Sequence, residues 1–336
     1  MIPSREVRSL EPFVRLDDDD FASGLAAFAP SEVPAGETLV VQGETDSSLL
    51  YVVRGKLRVT IGEGVELGVI RTGEMVGEMA LLGRDEARAA TVTTASAAQL
   101  LVLEPRGLRW LRSQDHPIVQ YLERMALGAL CARLRDTDRR ISASATGGGL
   151  PEVPQPGLLG RVAQAFGASL GGPRGPEPDL DEALRSTRAF ERLDPAALGA
   201  LTNRVELVAR RTGARLLEEG EKGDDAWVLV RGEVGVYRNA IAGHEQLALL
   251  HAGSLFGHVS LIDGQPRSAT CVTTQPSWLL RISRQVFNEL ALSGDVSEQN
   301  FRLALTDALG AQLRLANRHL AELSLAEAAA SVVASS

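Results

Sequence analysis

The amino-acid sequence predicts a mainly β protein with flanking α-helices, in which a single fold occurs twice. From residue 31 onward, short runs of alternating apolar and polar residues are bounded by glycines, a pattern typical of an antiparallel roll or sandwich. Helical periodicity returns after these runs. Residues 73–92 (GEMVGEMALLGRDEARAATV) recur in near copy as residues 253–272 (GSLFGHVSLIDGQPRSATCV). A repeat on this scale indicates two domains of one fold.

The length and composition fit two soluble domains. The 336 residues are 44% hydrophobic and 23% charged, which provides a core for each half. A formal net charge of -8 argues against a chain that coats nucleic acid or an anionic membrane by electrostatics alone. The N-terminus lacks the apolar core of a signal peptide and no run of about eighteen apolar residues occurs. We therefore expect a cytoplasmic protein without a membrane partner.

Reactive residue types show no catalytic or metal-binding pattern. Cys131 and Cys271 each lie in an apolar pattern and are expected to be buried thiols. The five histidines lack metal-ligand spacing, so no metal site is predicted. A Gly-rich kinase loop, a P-loop Lys-Ser/Thr pair and a nucleophile elbow are all missing from the sequence. We therefore expect neither an enzyme nor catalytic residues.

The first half reads as a helix, a set of strands and a second helix. Residues 1–12 are expected to be loosely ordered. Residues 16–30 predict a short helix, because their aspartates lie at the N-terminal end, where the helix dipole favours negative charge. Residues 118–141 carry apolar side chains at helical spacing. The strands between these helices end at glycines, which adopt positive φ at low cost. These turn residues are Gly36, Gly43, Gly55, Gly62 and Gly64.

The second half repeats the first after a break. Residues 143–180 are rich in glycine and proline and predict a linker. Within it, residues 158–166 could form two helical turns that cover their own domain or dock on a partner. Asp194 and Pro195 mark the start of the next helix. The segment TGARLLEEGE parallels AGETLVVQGE with an offset of 177 residues, and three inserted residues raise the offset to 180 at the repeated stretch. Residues 297–323 predict a final amphipathic helix.

The repeated stretch has the composition of a phosphate site. Each copy reads as a glycine turn, a short apolar helix, a loop and an arginine that opens a strand. Unpaired N–H groups at a helix start and a facing arginine suit a phosphate. In the first copy Glu78 stands at the helix start, and an ionised carboxylate only accepts hydrogen bonds, which suits a ribose hydroxyl. Glu78 and Arg88 together suggest a nucleotide, and the alternative is a surface ion pair between them.

These residues resemble a known family. Gly77 to Leu82 (GEMALL), followed by Arg88 to Val92 (RAATV), are similar to the phosphate-binding cassette of cyclic nucleotide-binding domains. The resemblance implies two tandem double-stranded β-helix domains of jelly-roll type, each followed by a C-helix. We assign the first domain to residues 13–142 and the second to residues 181–326. Residues 73–92 and 253–272 are called the first and second cassette from here on.

The resemblance also implies residue roles in the first cassette. Glu78 would bind the ribose 2′-hydroxyl, Arg88 the cyclic phosphate, and backbone N–H groups near Met79 and Ala89 the remaining phosphate oxygens. Ala89 favours cAMP, because a threonine at this place in the family favours cGMP. The predicted ligand-binding residues are Gly77, Glu78, Met79, Ala80, Arg88, Ala89 and Ala90.

The helix predicted at residues 118–141 resembles the family's C-helix, which closes over the base. Its piece CARLRDTDRRI aligns Thr137 with a threonine that contacts adenine, and Asp138 replaces a serine that reaches across a dimer. A solvent-facing Thr137 is the alternative. A homodimer through the C-helices is also left open.

The second cassette departs from the pattern at one place. It keeps Gly257 and Arg267 but has His258 in place of the glutamate, and loss of that charge-assisted bond costs roughly 1 to 3 kcal/mol. A structural role, weak cyclic nucleotide binding and a different anionic ligand all remain open. If His258 faces the phosphate, binding would strengthen below about pH 6.5. The predicted residues of this site are Gly257, His258, Val259, Arg267 and Ser268.

The function predicted from these observations is that of a cyclic nucleotide sensor. Its ligand would be cAMP, with cGMP as the alternative, and no prosthetic group is expected. Binding would move the C-helix and so act on an effector protein that the sequence does not identify. No DNA partner is expected, because a helix-turn-helix reader is not recognised after the last strand. The rival hypotheses are a scaffold of two non-binding β-rolls and a transcriptional regulator without a recognisable reader.

Overall fold

A computed structural model describes residues 2–62, 64–82, 87–144, 176–185, 195–240, 243–292 and 296–335, with residues 173, 187 and 190. The chain divides into two compact units. Unit one comprises Met1–Arg133 and Leu309–Ser336, and unit two comprises Leu134–Ala308. Nearly all of the predicted linker, including residues 158–166, lies outside the described residues, as does Asp194.

Unit one is built on two antiparallel four-stranded sheets. Their strand orders are β1-β8-β3-β6 and β2-β7-β4-β5. The strands are β1 Ala29–Val33, β2 Thr38–Val40, β3 Leu49–Arg54, β4 Lys56–Ile61, β5 Val65–Arg71, β6 Met75–Val76, β7 Thr91–Thr94 and β8 Ala98–Leu103. The helices are α1 Ser4–Arg8, α2 Asp18–Ala26, α3 Pro105–Ser113 and α4 Ile118–Ser144, and 3₁₀ turns span Phe13–Arg15 and Glu78–Leu82. Residues of α4 after Arg133 belong to unit two.

Strand β3 is covered on both faces, which explains its continuous apolar run. Leu50 and Val52 pack in the core between the two sheets. Tyr51 and Val53 point to the opposite face, where they pack against helical residues such as Leu122. A strand with neighbours on both faces has no polar alternation.

The prediction that residues 1–12 are loosely ordered is wrong. They contain α1, and Val7 is buried in the same core as Phe13. For the next helix, predicted at residues 16–30, the predicted start agrees with α2 but the predicted end lies too far along the chain. Asp17 caps α2 by accepting a 2.8 Å hydrogen bond from the N–H of Asp20. The helix stops at Ala26, because residues from Ala29 onward pair with β8.

Unit two repeats the sheet topology strand for strand. Its sheets have the orders β14-β11-β16-β9 and β10-β15-β12-β13, each equal to an order in unit one shifted by eight strands. The strands are β9 Glu206–Arg210, β10 Arg215–Leu217, β11 Asp225–Arg231, β12 Val234–Ala240, β13 Gly243–Leu250, β14 Leu255–Phe256, β15 Thr270–Thr273 and β16 Ser277–Ser283. The helices are α5 Leu180–Arg185, α6 Pro195–Thr202, α7 Val259–Asp263, α8 Arg284–Leu292 and α9 Val296–Ser335. Residues of α9 after Ala308 belong to unit one.

The predicted fold class is confirmed. Both units are mainly β with flanking helices, and the predicted helices at 118–141 and 297–323 are present as α4 and α9. Cys131 and Cys271 are both buried, as expected. Within the described parts of the chain, no helix combines the length and the apolar character needed to cross a bilayer.

The turn between β3 and β4 requires glycine, and this requirement can be tested. Gly55 has φ of 106°, and a Cβ atom there would lie 2.6 Å from the carbonyl oxygen of Ala97. Gly36 also has positive φ, but nothing lies within 4 Å of its Cβ position. We expect Gly55→Ala to lower the free energy of unfolding by about 3 kcal/mol and Gly36→Ala by about 1 kcal/mol, measured by urea unfolding. Equal losses would show that the turn has room for a side chain.

Candidate functional site

The first cassette is organised by a glycine that brings an arginine against it. Gly77 follows β6 with φ of 87°. A Cβ atom on it would lie 2.5 Å from Nη1 of Arg88 and 2.5 Å from the carbonyl oxygen of Ser48. Only glycine allows both groups to come this close. The turn Glu78–Leu82 that follows is a 3₁₀ helix, where the sequence predicted a short apolar helix.

Glu78 is buried and held by the C-helix. Its Oε1 accepts a 2.9 Å hydrogen bond from Nη1 of Arg133, which lies on α4. Nη2 of Arg133 also donates to the carbonyl oxygen of Met75 at 2.6 Å. The second oxygen, Oε2, is buried and has no hydrogen-bond partner within the described parts of the chain. The alternative of a surface ion pair between Glu78 and Arg88 is therefore wrong. The sequence analysis missed Arg133, which has no local signal beyond its place on the helix.

Arg88 pairs with a loop aspartate. Its Nη2 donates to Oδ2 of Asp46 at 2.5 Å and to the carbonyl oxygen of Ser48 at 2.7 Å. The arginine side chain is 9% exposed and the aspartate side chain 43% exposed. Burial acts to raise the pKa of Asp46, but hydrogen bonds from Arg88 and Ser48 outweigh it and hold the pKa below its usual value. The Nε of Arg88 is also buried, and no described residue accepts a hydrogen bond from it.

The other predicted residues of the first cassette lie beside these two. Met79 and Ala80 belong to the 3₁₀ turn, and Ala89 and Ala90 follow Arg88, with Ala89 exposed. A feature that the sequence did not predict is the approach of α9. A Cβ atom on Gly310 would lie 2.6 Å from the sulfur of Met79, so this helix packs on the turn. Residues 83–86 of the cassette lie outside the described residues.

Thr137 and Asp138 are buried, which makes the solvent-facing alternative for Thr137 wrong. Both belong to unit two, so the structure does not group them with the first cassette. Burial raises the pKa of Asp138 to about 7, although Arg238 and Arg135 act in the opposite direction. Arg135 itself donates to both carboxylate oxygens of Asp263 at the end of α7, at 2.6 and 3.0 Å.

His258 of the second cassette is enclosed in the domain. It is completely buried, and neither ring nitrogen has a hydrogen-bond partner among the residues that the structure describes. Burial, and then the charge of Arg267, lower the pKa of His258 to about 4. The imidazole therefore stays neutral near pH 6.5, and the predicted strengthening of anion binding at that pH is wrong. Gly257 precedes it with φ of 77°, Val259 is buried and Ser268 half-buried.

Arg267 has an internal carboxylate partner. Its Nη2 donates to the carbonyl oxygen of Asp225 at 2.8 Å and to Oδ1 of the same residue at 2.7 Å. Its Nη1 donates to the carbonyl oxygen of Gly257 at 2.6 Å and to Oγ of Ser260 at 2.9 Å. The sequence analysis did not identify Asp225 as the partner of Arg267. The available signal was the internal repeat, which aligns Asp225 with Ser48.

The burial of His258 predicts a pH-dependent stability. Because its pKa in the folded state is about 4 and its ordinary value is 6.5, the unfolded chain binds the proton first as pH falls. The stability that neutral His258 provides is present above pH 6.5 and is lost progressively toward pH 4. We measure the free energy of unfolding by urea titration at about pH 7.5 and about pH 5. The decrease between these two pH values should be about 2 kcal/mol smaller in His258→Leu than in the parent. His251→Leu, at an exposed histidine, is the control, and an unchanged pH slope in His258→Leu contradicts the prediction.

Comparison with known proteins identifies the family of both halves of the chain. The sequence model of the cyclic nucleotide-binding domain matches residues 30–115 and 207–293. A CRP-like cAMP-activated global transcriptional regulator of Mycobacterium tuberculosis is 30% identical over 146 residues, which are 43% of this chain and 63% of the regulator. A cAMP-dependent protein kinase regulatory subunit of Aspergillus niger is 23% identical over 290 residues, which are 83% of this chain and 56% of the subunit. The chain thus spans less than two thirds of the length of these relatives.

Among the solved structures that match the chain is the regulatory domain of Toxoplasma gondii PKA in co-crystals with cAMP. It is 21% identical, with a TM-score of 0.33, and the match covers 87% of this chain and 91% of that one. The two matches to the family's sequence model span just over half of the chain and fall on the two β units. The chain therefore belongs to the cyclic nucleotide-binding domain family and carries two tandem copies of that domain.

Proposed function

We propose that the chain is a cytoplasmic cAMP sensor, in which the first cassette binds the nucleotide and α4 passes the binding event to an effector protein. One observation carries the proposal. Among the residues that the structure describes, Oε2 of Glu78 and Nε of Arg88 find no hydrogen-bond partner, and both atoms are buried. Unsatisfied buried polar atoms are rare in native proteins and call for an explanation. An unpaired acceptor and an unpaired donor in one cassette complement a ribose hydroxyl and a cyclic phosphate.

The electrostatics of the first cassette favour exchange of its anion. The carboxylate of Asp46 is 43% exposed, and an ion pair with so exposed a partner contributes little to stability. A phosphate can therefore replace the aspartate on Arg88 while Asp46 turns to water. Glu78 can meanwhile accept from the 2′-hydroxyl through Oε2 and keep Arg133 on Oε1.

The choice of cAMP rests on Ala89 and on the relatives. Ala89 is exposed and offers no hydroxyl for a contact with guanine. The Mycobacterium regulator and the Aspergillus subunit are named for cAMP activation and cAMP dependence. The ligand is free nucleotide and not a prosthetic group, and cGMP is the alternative that the same titration tests. The effector is proposed to be a protein and not DNA, since the net charge of -8 opposes electrostatic association with DNA.

Nucleotide binding at the first cassette is tested by titration calorimetry. We expect the parent to bind cAMP more tightly than cGMP, and Arg88→Ala to weaken cAMP binding at least about 100-fold, because charge-assisted bonds to phosphate are lost. Arg106→Ala removes the same charge at an exposed position and serves as the control. Glu78→Gln should weaken binding by about tenfold. Absence of binding in the parent, or equal binding by Arg88→Ala and Arg106→Ala, would favour the scaffold hypothesis.

The proposed output device is α4. Arg133 joins this helix to the cassette through Glu78 and through the backbone of Met75. A ligand hydroxyl that donates to Oε2 draws electron density from the carboxylate that Arg133 contacts, and so changes the balance between the attached and the detached helix. Coupling of this kind requires a difference in ligand affinity between the two positions of the helix.

Hydrogen exchange with and without cAMP tests the role of α4. We expect saturating cAMP to slow amide exchange in Ile118–Ser144, because the ligand draws the helix onto the base. Arg133→Met should abolish most of this protection. Arg139→Met, at an exposed arginine of the same helix, should retain it. Exchange rates in α4 that do not respond to cAMP in the parent would contradict the mechanism while leaving nucleotide binding intact.

A further inference from the structure

The two cassettes hold their arginines in the same way through the backbone. The offset of 177 residues that relates Gly55 to Gly232 also relates Ser48 to Asp225, at the start of β3 and β11. Arg88 donates to the carbonyl oxygen of Ser48 at 2.7 Å, and Arg267 donates to that of Asp225 at 2.8 Å. The position is therefore equivalent in structure as well as in sequence. The two copies differ in the side chain that it carries.

In the second cassette that side chain is an anion placed on the arginine. Oδ1 of Asp225 accepts from Nη2 of Arg267 at 2.7 Å and from Nε1 of Trp227 at 3.0 Å. Its Oδ2 accepts from Nε of Arg281 at 2.9 Å. The side chains of Arg267 and Asp225 are 5% and 15% exposed. Three donors fix this carboxylate in a largely buried position.

The first cassette has no such fixed anion. Its Ser48 offers a hydroxyl to Arg88 at 3.1 Å, and the carboxylate comes from the exposed Asp46 instead. The residue equivalent to Asp46 in the second copy is Gly223. A Cβ atom there would lie 2.2 Å from Oγ of Ser260 and 2.8 Å from Cζ of Arg267, so no side chain fits. The exchangeable carboxylate of the first copy is thus excluded from the second.

The cost of releasing the arginine differs accordingly. Separation of Arg88 from Asp46 exposes a carboxylate that is already partly in water. Separation of Arg267 from Asp225 leaves a buried carboxylate without its closest counter-charge, and broken buried pairs are strongly unfavourable. His258, which replaces Glu78 in sequence, adds no carboxylate for a ribose and lies completely buried. The carboxylate that would bind a ribose hydroxyl is therefore missing from the second cassette. The arginine that would bind a phosphate already holds an anion.

We infer that Asp225 closes the second cassette to cyclic nucleotides by taking the place of the phosphate on Arg267. The residue at this position decides which copy binds: a serine leaves the arginine to an external anion, and an aspartate supplies an internal one. The inference rests on the proposed binding of cAMP by the first cassette. It removes weak cyclic nucleotide binding and a different anionic ligand from the alternatives for the second.

The test grafts first-copy residues into the second cassette, in an Arg88→Ala background that silences the first. We expect no cAMP binding by Arg88→Ala alone or with His258→Glu, because Asp225 still holds Arg267. Adding Asp225→Ser to His258→Glu should create one cAMP site per chain in calorimetry, where the Arg88→Ala background shows none. Asp224→Ser with His258→Glu is the control, since it removes the same charge from an exposed neighbour and should not create a site.

The converse graft covers the case in which the second-copy variant does not fold. Ser48→Asp in the otherwise unchanged chain should weaken cAMP binding at the first cassette at least about 100-fold. Ser47→Asp, which copies the residue equivalent to Asp224, should bind within a few-fold of the parent. Unfolding curves monitor the integrity of each variant.

Particular outcomes would overturn the inference. One is cAMP binding by Arg88→Ala alone, at a site that Arg267→Ala removes. Another is a site created by His258→Glu without Asp225→Ser, and a third is unchanged binding by Ser48→Asp. Failure of the proposed function has a different signature, because the parent then binds no cAMP while the double graft in the second cassette can still gain a site.

Discussion

A buried guanidinium needs an anion or a full set of acceptors, and both cassettes are built around one. In each, a glycine with positive φ lets the arginine approach the turn, and the carbonyl oxygen at the start of a strand accepts from it. The remaining requirement is a counter-charge. The first copy meets it with the exposed Asp46 and the second with the largely buried Asp225. The chemical difference between two copies of one fold follows from this choice of partner.

The features that the sequence predicts correctly are those determined locally. Strand alternation, glycine turns and amphipathic helices each depend on residues close in the chain. The internal repeat made the strands of both halves recognisable. Glu78, Arg88, His258 and Arg267 were found because they lie in one short motif. Residues 1–12 were misjudged for the opposite reason. Val7 is ordered by packing against Phe13 and the core of unit one, and the short helix has little intrinsic stability of its own.

The partners of the motif residues could not be predicted from local patterns. Arg133 reaches Glu78 from a helix 55 residues further along the chain, and Asp225 precedes Arg267 by 42 residues. Such pairings are set by the topology of the sheets and produce no periodic pattern in the sequence. His258 shows the same effect on a pKa. An imidazole in contact with solvent titrates near its ordinary pKa of about 6.5, whereas enclosure in the core lowers the pKa to about 4 by penalising the charged form.

The source of the arginine's counter-charge determines how much a ligand can stabilise each copy of the domain. Where Asp225 already occupies Arg267, an added anion would have to displace a largely buried carboxylate, so ligand adds little to the stability of that domain. In the first cassette, the unpaired Oε2 of Glu78 and Nε of Arg88 cost stability until a ligand contacts them. Binding then returns that free energy, which stabilises the folded state and any helix position that depends on it. A β-roll whose arginine has an exchangeable partner can therefore act as a sensor, whereas the copy whose arginine holds a largely buried carboxylate can serve as a fixed structural partner.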